Sequence, residues 1–192
     1  MANLARLPHV KRLKRLLARF ARARGGATAV EFAFVAGPFL LLVFAIIELA
    51  LVSLVSVTLE NAVSDTSREI RTGQLQTAGG TAATFKTDMC GELGWIGSAC
   101  SSALSIDVRT FTAFSTSGTA LDAAKPTTPC WDPGGPGSIV LVRAYYNWPL
   151  ITPLLQTGLQ TANGKRMVTA AAAFANEPYS EDTVAPVTCP TN

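Results

Sequence analysis

The pattern of apolar positions separates one long apolar run near the start of the chain from a region of mixed polarity after it. Residues 32–47 are all uncharged, and beyond Glu48 the apolar character continues to Leu59. At about 1.5 Å per residue, a helix over residues 27–59 exceeds the ~30 Å hydrocarbon core of a bilayer. The run therefore predicts one transmembrane helix.

After Leu59 the pattern becomes amphipathic, because apolar residues recur near one helical face while charged residues lie elsewhere. We expect this extension to occupy residues 60–79, with the helix ending near Gly73 or near Gly79 and Gly80. The predicted apolar face consists of Ala62, Val63, Thr66, Ile70 and Leu75. The transmembrane helix is thus expected to continue into water.

Residues 80–192 are predicted to form one small α+β domain. Alternation and β-branched residues predict three strands, and helix is the competing interpretation for the alanine-rich last one. The strands are expected at residues 105–114, 138–148 and 167–179, with the second in the centre, and short helices at 81–94 and 149–160. The sheet is expected to be antiparallel. Since such a sheet must cover its apolar face, we expect the amphipathic helix to be the cover.

Basic residues are concentrated at the start of the chain. Eight of the sixteen Lys and Arg residues lie in the first 24 positions, which contain no Asp or Glu. Eight basic and thirteen acidic residues follow, which gives that part a net charge of −5. A basic segment directly before an apolar span acts as a topology signal that stays in the cytoplasm, a simpler explanation than nucleic-acid binding. We therefore predict a cytoplasmic leader, a periplasmic C-terminal domain and no nucleic-acid partner.

All four cysteines follow the apolar run and would face the oxidising side of the membrane, where disulfides persist. Four cysteines allow three pairings. We favour Cys90 with Cys100, which closes a short loop, and Cys130 with Cys189, which ties back the C-terminus. A zinc site is the competing interpretation, but the chain has no CxxC pair and its one histidine, His9, lies in the leader. We predict no metal and no cofactor.

A small-residue signal, Gly-Gly-Ala at residues 25–27, precedes the apolar run. An ordinary secretory signal has its cleavage site after an apolar core of roughly 7 to 15 residues. Here the order is reversed and the core is longer. Cleavage between Gly26 and Ala27 would remove a basic leader, residues 1–26, and leave the helix on the mature chain.

The sequence GGATAVEF, residues 25–32, resembles the class III signal of type IV pilin-like proteins. That signal has a basic leader, a glycine before the cut and a glutamate fifth in the mature chain. If cleavage follows Gly26, Ala27 is the first mature residue and Glu31 is the fifth. The resemblance implies cleavage by a membrane aspartyl prepilin peptidase at the cytoplasmic face, and a role for Glu31 in assembly rather than cleavage.

The two carboxylates of the apolar run have different expected roles. A charged residue costs roughly 2.5 to 3.5 kcal/mol at the bilayer centre on insertion scales, and less near the interface, so a partner for Glu31 would offset this cost. The amino group released on Ala27 is positive at neutral pH and could be that partner, on the same chain or a neighbour. In the alternative, Glu31 lies at the headgroup boundary and stabilises the helix N-terminus. Glu48 is expected to mark the outer interface, with pairing to another subunit as the alternative.

A narrower resemblance is to TadE-like pseudopilins of tight-adherence systems. It rests on ATAVEFAFV at residues 27–35, VLVRAYYNWPLITPLL at 140–155 and FANEPY at 174–179. After the proposed cut 166 residues remain, which is large beside the very short major pilins of these systems. The resemblance therefore implies a minor pilin or pseudopilin needed for assembly of a tight-adherence, Flp-type pilus.

Catalytic residues are scarce in the C-terminal domain. Because the single histidine is in the leader, Ser-His-Asp and Cys-His sites are excluded there unless another base substitutes. The carboxylates that could form a catalytic pair are expected to be scattered over a solvated surface. They are Asp88, Glu92, Asp107, Asp122 and Asp132. We predict a protein that is not an enzyme and has no small-molecule substrate.

Four aromatic residues, Trp131, Tyr145, Tyr146 and Trp148, could form a binding patch. Three of them fall in or at the end of the predicted central strand, so packing in the core explains them at least as well.

The implied partners are a prepilin peptidase, other pilins and pseudopilins, and the pilus assembly platform. The implied location is the bacterial inner membrane, or an extracellular, pilus-associated one. The resemblance leaves open whether the subunit enters the filament, primes it or stays in the base. The rival hypothesis is a single-pass membrane protein with an uncleaved leader and a periplasmic ligand-binding domain.

Overall fold

The structure is a computed structural model, and it describes residues 12, 14–15, 18–19, 26–114, 125–180 and 189. By their contacts the residues form two compact units, Met1–Ile46 and Ile47–Asn192. The predictions for Gly25, His9 and Asp122 lie outside the described residues.

One helix, α1 (Ala27–Arg71), contains the apolar run and the predicted extension as far as Arg71. The rest of that extension, residues 72–79, is not part of α1 and includes a separate short helix at Gln74–Thr77. Among the described residues, it alone is long and apolar enough to cross a membrane. Arg68 and Arg71 lie in its last turn, where positive charge complements the negative end of the helix dipole. The helix ends two residues before Gly73, one of the predicted positions, which has a left-handed φ of 76°.

Three strands form one antiparallel sheet in the order β1-β2-β3. They are β1 (Leu104–Phe111), β2 (Ile139–Pro149) and β3 (Lys165–Ala175). The predicted α+β class and the central position of the second strand are confirmed. The alanine run at residues 170–173 pairs with residues 141–144 of β2, so the competing helical interpretation of that run is wrong.

Short helices occupy the connections of this unit. They are α2 (Gln74–Thr77), α3 (Ala82–Glu92), a 3-10 helix (Gly94–Ala99), α4 (Cys100–Ala103) and α5 (Pro153–Leu159). The start of α3 is fixed by a capping box, in which the Thr81 side chain accepts from the Thr84 backbone N–H and the Thr84 side chain accepts from Thr81. The helices predicted at residues 81–94 and 149–160 are thus present and slightly shorter than expected.

The core of the second unit joins one face of the sheet to the amphipathic part of α1. All five residues of the predicted apolar face are buried. The four apolar ones, Ala62, Val63, Ile70 and Leu75, share one hydrophobic cluster with residues of the sheet and of α3. Among these are Ile106, Val108, Val142, Phe85 and Met89. Each fully buried large apolar side chain contributes about 1.5–3 kcal/mol relative to its exposed state. The predicted cover of the sheet is therefore confirmed.

The four cysteines form two disulfides, Cys90 with Cys100 and Cys130 with Cys189. The first joins α3 to α4. The second closes a 59-residue separation and holds Cys189 against the segment that precedes β2. The structure confirms both predicted cysteine pairings.

The segment around Trp131 covers the outer edge of β1. Trp131 forms a parallel bridge with Val108, whose N–H donates to the carbonyl of Cys130 at 2.9 Å and whose carbonyl accepts from the N–H of Asp132 at 3.0 Å. Covering an edge in this way blocks pairing with another chain.

Candidate functional site

The predicted cleavage site lies at the start of α1. Gly26 immediately precedes the helix and Ala27 is its first residue. Among the described residues, a Cβ built on Gly26 would meet no atom within 4 Å. Packing among the described residues therefore does not require a glycine at this position.

Glu31 lies in the second turn of α1, four residues after Ala27, and is exposed. Its neighbours are large apolar side chains with no cover, such as Phe32, which is 73% exposed, and Phe34, which is 76% exposed. Within the described part of the chain Glu31 has no ion pair and no side-chain hydrogen bond. A carboxylate in this setting has its charge available to a partner outside the chain.

Glu48 is engaged within its own chain and is only 3% exposed. Its carboxylate accepts hydrogen bonds from two successive backbone N–H groups, those of Ile151 and of Thr152, the second at 2.8 Å. These residues belong to the loop between β2 and α5. Both carboxylate oxygens therefore have partners within the chain, and pairing of Glu48 with another subunit stays an alternative prediction. The proposed position of Glu48 at the outer interface stays a prediction.

A buried ion pair crosses the sheet on the face opposite the hydrophobic core. Asp107 is 1% exposed, lies directly opposite Arg143 in the β1-β2 register, and accepts from Arg143 Nη2 at 2.6 Å. It also accepts from Arg109 Nε and, at 2.8 Å, from the backbone N–H of Cys130. This carboxylate therefore ties the two strands to the disulfide-bonded segment.

The expectation that the carboxylates lie on a solvated surface is wrong for two of them. Asp107 is buried, and Asp132 is 6% exposed, where it accepts from the hydroxyl of Thr110 and the N–H of Gly134. Asp88 and Glu92 are exposed, as expected. Both buried carboxylates accept hydrogen bonds from other groups of the protein, because a buried charge must replace its lost hydration. Among the described residues no three His, Cys, Asp or Glu side chains are grouped to hold a metal ion.

Residues 26–68 match the family model described as TadE-like protein. Over this segment the chain is similar to the TadE-like family. No curated protein and no solved structure matches it. The TadE-like family is a family of pilus components, which supports association with a pilus and with a membrane. The match begins at Gly26 and covers α1 as far as Arg68.

The sequence segments at residues 140–155 and 174–179 lie outside the matched residues 26–68, so their resemblance to TadE-like pseudopilins stays a prediction. Both have a structural role in this chain. The first forms β2 and the loop bonded to Glu48. In the second, the side-chain amide of Asn176 donates to the carbonyls of Pro133 and Gly135 at 3.0 and 3.1 Å, and the ring of Tyr179 packs on Gly73.

The aromatic residues considered as a binding patch pack into the fold. Tyr145 and Tyr146 are 3% and 2% exposed, and burial raises the pKa of both phenols above the ordinary value. Trp131 packs against Phe85 with ring centroids 5.2 Å apart, and Trp148 packs against the core and the exposed Trp95. Tyr146 thus belongs to the hydrophobic core, and Tyr145 is buried on the opposite face of the sheet.

The sequence did not indicate the partners of Glu48. The donors lie 103 and 104 residues away along the chain, and a backbone N–H has no residue-type signal. The available signal was the carboxylate itself, because an ionisable residue in an apolar helix needs a partner.

Proposed function

We propose that the protein is a non-catalytic minor pilin or pseudopilin, needed for assembly of a tight-adherence, Flp-type pilus. The observation that carries this proposal is the TadE-like match, which begins at Gly26 and covers the exposed apolar helix that bears Glu31. The protein is held in the bacterial inner membrane by α1, with its leader in the cytoplasm and residues 80–192 in the periplasm.

Maturation is by a prepilin peptidase that cuts between Gly26 and Ala27. Three features support this step: the basic leader, the position of the bond at the first residue of α1, and the open space that the described residues leave around Gly26. A glycine at this position lets the groups of an external enzyme come close to the backbone. Cleavage leaves α1 as the N-terminus of the mature subunit.

Glu31 is the assembly residue. Its carboxylate is exposed among apolar side chains, and an ion in hydrocarbon is stabilised by a partner of opposite charge. The α-amino group of a mature Ala27 on a neighbouring subunit is that partner, since its ordinary pKa of about 7.7–8.0 keeps it largely positive at neutral pH. The pair sets the axial register of adjacent helices, and the apolar side chains of α1 supply the lateral contact.

The C-terminal domain presents a rigid surface to other pseudopilins and to the assembly platform. Two disulfides support this role, since they restrain the segments around α3 and before β2 in an oxidising compartment. The mechanism is noncovalent throughout.

The test replaces Glu31 and a matched control carboxylate on the same helix. Glu60 is also exposed on α1 but lies beyond the apolar run. In the native host, Glu31→Ala is expected to be made, cleaved and inserted normally while surface pili are lost. Glu60→Ala is expected to leave piliation unchanged. Pili are counted by electron microscopy, and cleavage is followed by immunoblot.

Normal piliation in the Glu31→Ala strain contradicts the assembly role of this residue. Equal loss of pili in the Glu60→Ala strain contradicts its specificity. Normal piliation after deletion of the whole gene contradicts the proposed function itself.

A further inference from the structure

We infer that the loop at residues 149–152, held by Glu48, rests in the outer headgroup region of the bilayer and gives the protein a second membrane contact. The partner is the lipid surface itself. This inference rests on membrane insertion of α1, which is part of the proposed function.

The position of Glu48 along α1 places the loop at the right depth. About 20 helical residues cross a ~30 Å hydrocarbon core. A span that begins at Ala27 therefore leaves the core close to Ile47 and Glu48. The two hydrogen bonds to Glu48 bring the backbone of Ile151 and Thr152 to this same level.

The loop presents an apolar side chain that the protein leaves uncovered. Ile151 is 74% exposed, although its backbone is fixed by Glu48. Nearby positions of α1 in the same unit are also exposed and apolar: Ile47 at 50%, Leu49 at 46% and Leu54 at 51%. These side chains continue the apolar surface of the membrane helix onto the loop.

The backbone N–H groups of the loop need no water as a hydrogen-bond partner. This suits a poorly hydrated environment, where an unsatisfied N–H costs several kcal/mol. Pro149 has no N–H, and Leu150 donates to the carbonyl of Gly164 at 2.9 Å. Ile151 and Thr152 donate to Glu48. The carbonyl of Leu150 accepts from Gln156 Nε2 at 2.9 Å. Every N–H of the loop is thus absent or bonded without the help of water, and Glu48 supplies two of the acceptors.

The end of the sheet beside this loop carries the residue types of a membrane interface. Trp148 lies next to Pro149 and packs edge-to-face on Trp95, which is 51% exposed, with ring centroids 5.7 Å apart. Lys165 and Arg166 are exposed and lie opposite Pro149 and Trp148 in the β2-β3 register. Tryptophan favours the headgroup level, and basic residues attract anionic lipid phosphates. Aromatic, basic and apolar groups therefore converge on one end of the domain.

The test attaches an environment-sensitive fluorophore, NBD, to single introduced cysteines in the full-length protein. The native cysteines are paired, so a new thiol is labelled selectively without reductant. The probe position is Ile151→Cys. The positive control is Leu42→Cys, an exposed position in the apolar run, and the aqueous control is Ala78→Cys. Ala78 follows the end of α1, which lies roughly 35 Å from Glu48 along the helix axis.

The labelled proteins are reconstituted in vesicles of phosphatidylcholine with phosphatidylglycerol, some of which carry spin-labelled lipids. We expect strong quenching at residue 42 by spin labels deep in the acyl chains, strong quenching at residue 151 by spin labels near the headgroup, and none at residue 78. Glu48→Gln keeps one acceptor oxygen and is expected to reduce quenching at residue 151. Lys165→Glu is expected to reduce it in anionic vesicles and not in pure phosphatidylcholine.

Quenching at residue 42 with none at residue 151 overturns this inference and leaves the proposed function intact. Equal quenching at residues 151 and 78 also overturns it, because contact is then not specific to the loop. No quenching at residue 42 contradicts membrane insertion of α1, and with it both proposals.

Discussion

At the scale of single residues, buried carboxylates show how distant parts of the chain are joined. Glu48 binds backbone N–H groups 103 and 104 residues away, and Asp107 binds Arg143 at a separation of 36. Burying a charge is costly unless hydrogen bonds replace its hydration, so each group fixes the segments that carry its donors. The sequence showed that Glu48 is a carboxylate within an apolar helix. It contained no pattern that indicates hydrogen-bond partners so far along the chain.

Gly73 is a second residue whose identity the fold determines. Its φ of 76° is left-handed, and a Cβ there would overlap the ring of Tyr179. Gly73→Ala is expected to lower the free energy of unfolding by about 1–3 kcal/mol from backbone strain, and further from the displaced ring. Thermal and denaturant unfolding of the full-length protein in detergent micelles, followed by near-ultraviolet circular dichroism, measures the change.

The matched control for this substitution is Gly91→Ala. Gly91 is an exposed residue of α3, and a Cβ there would meet nothing within 4 Å. Because alanine is favoured over glycine in a helix, stability is expected to rise by about 0.5–1 kcal/mol. A Gly73→Ala protein as stable as the unsubstituted one would contradict the close contact between Gly73 and the ring of Tyr179.

At the scale of elements, the sequence predicted the helices and strands well because their periodicities differ. The apolar face of α1 follows helical spacing and is buried as expected. The alanine run was ambiguous, because alanine has high helix propensity. Its strand conformation comes from pairing with β2, whose β-branched and aromatic residues favour a sheet. Local propensity is overridden here by a neighbour that the local sequence does not contain.

The two tyrosines of β2 predict a pH dependence of stability. Burial raises the pKa of Tyr145 and Tyr146 in the folded state, so the unfolded state loses these protons first. Their contribution is complete below about pH 10 and is lost as pH rises above it. We expect tyrosinate absorbance from these residues to appear only together with unfolding of the protein in micelles.

Phenylalanine substitutions distinguish the contributions of the two tyrosines to folding stability. The Tyr145 hydroxyl is buried with no hydrogen-bond partner among the described residues, whereas that of Tyr146 donates to the carbonyl of Ile96 at 3.0 Å. Tyr145→Phe is expected to keep or raise the free energy of unfolding at neutral pH. It is also expected to reduce the loss of stability above about pH 10. Tyr146→Phe is expected to cost about 0.5–1.5 kcal/mol at neutral pH. Ionisation of all three tyrosines before any unfolding would contradict the burial of both side chains.

At the scale of the whole molecule, the order of features along the chain was enough to predict the general architecture. A basic leader, an apolar helix and four later cysteines indicated one anchor and one disulfide-bonded domain. The sheet order and both cysteine pairs agree with this. The ion pair of Asp107 and the bonds of Glu48 could not be predicted, because they depend on strand register and on a loop conformation. The assembly role of Glu31 was predicted from its position five residues after Gly26, and the piliation experiment above tests that role.

The central claim is that the protein is matured as a pilin-like subunit, and the N-terminus of the mature chain tests it most directly. The protein is purified from membranes of the native host, and its intact mass and N-terminal peptide are measured by mass spectrometry. We predict a chain that begins at Ala27, with or without a modification of its amino group. A mature chain that begins at Met1 or Ala2 would contradict the account and favour a static membrane protein with an uncleaved leader.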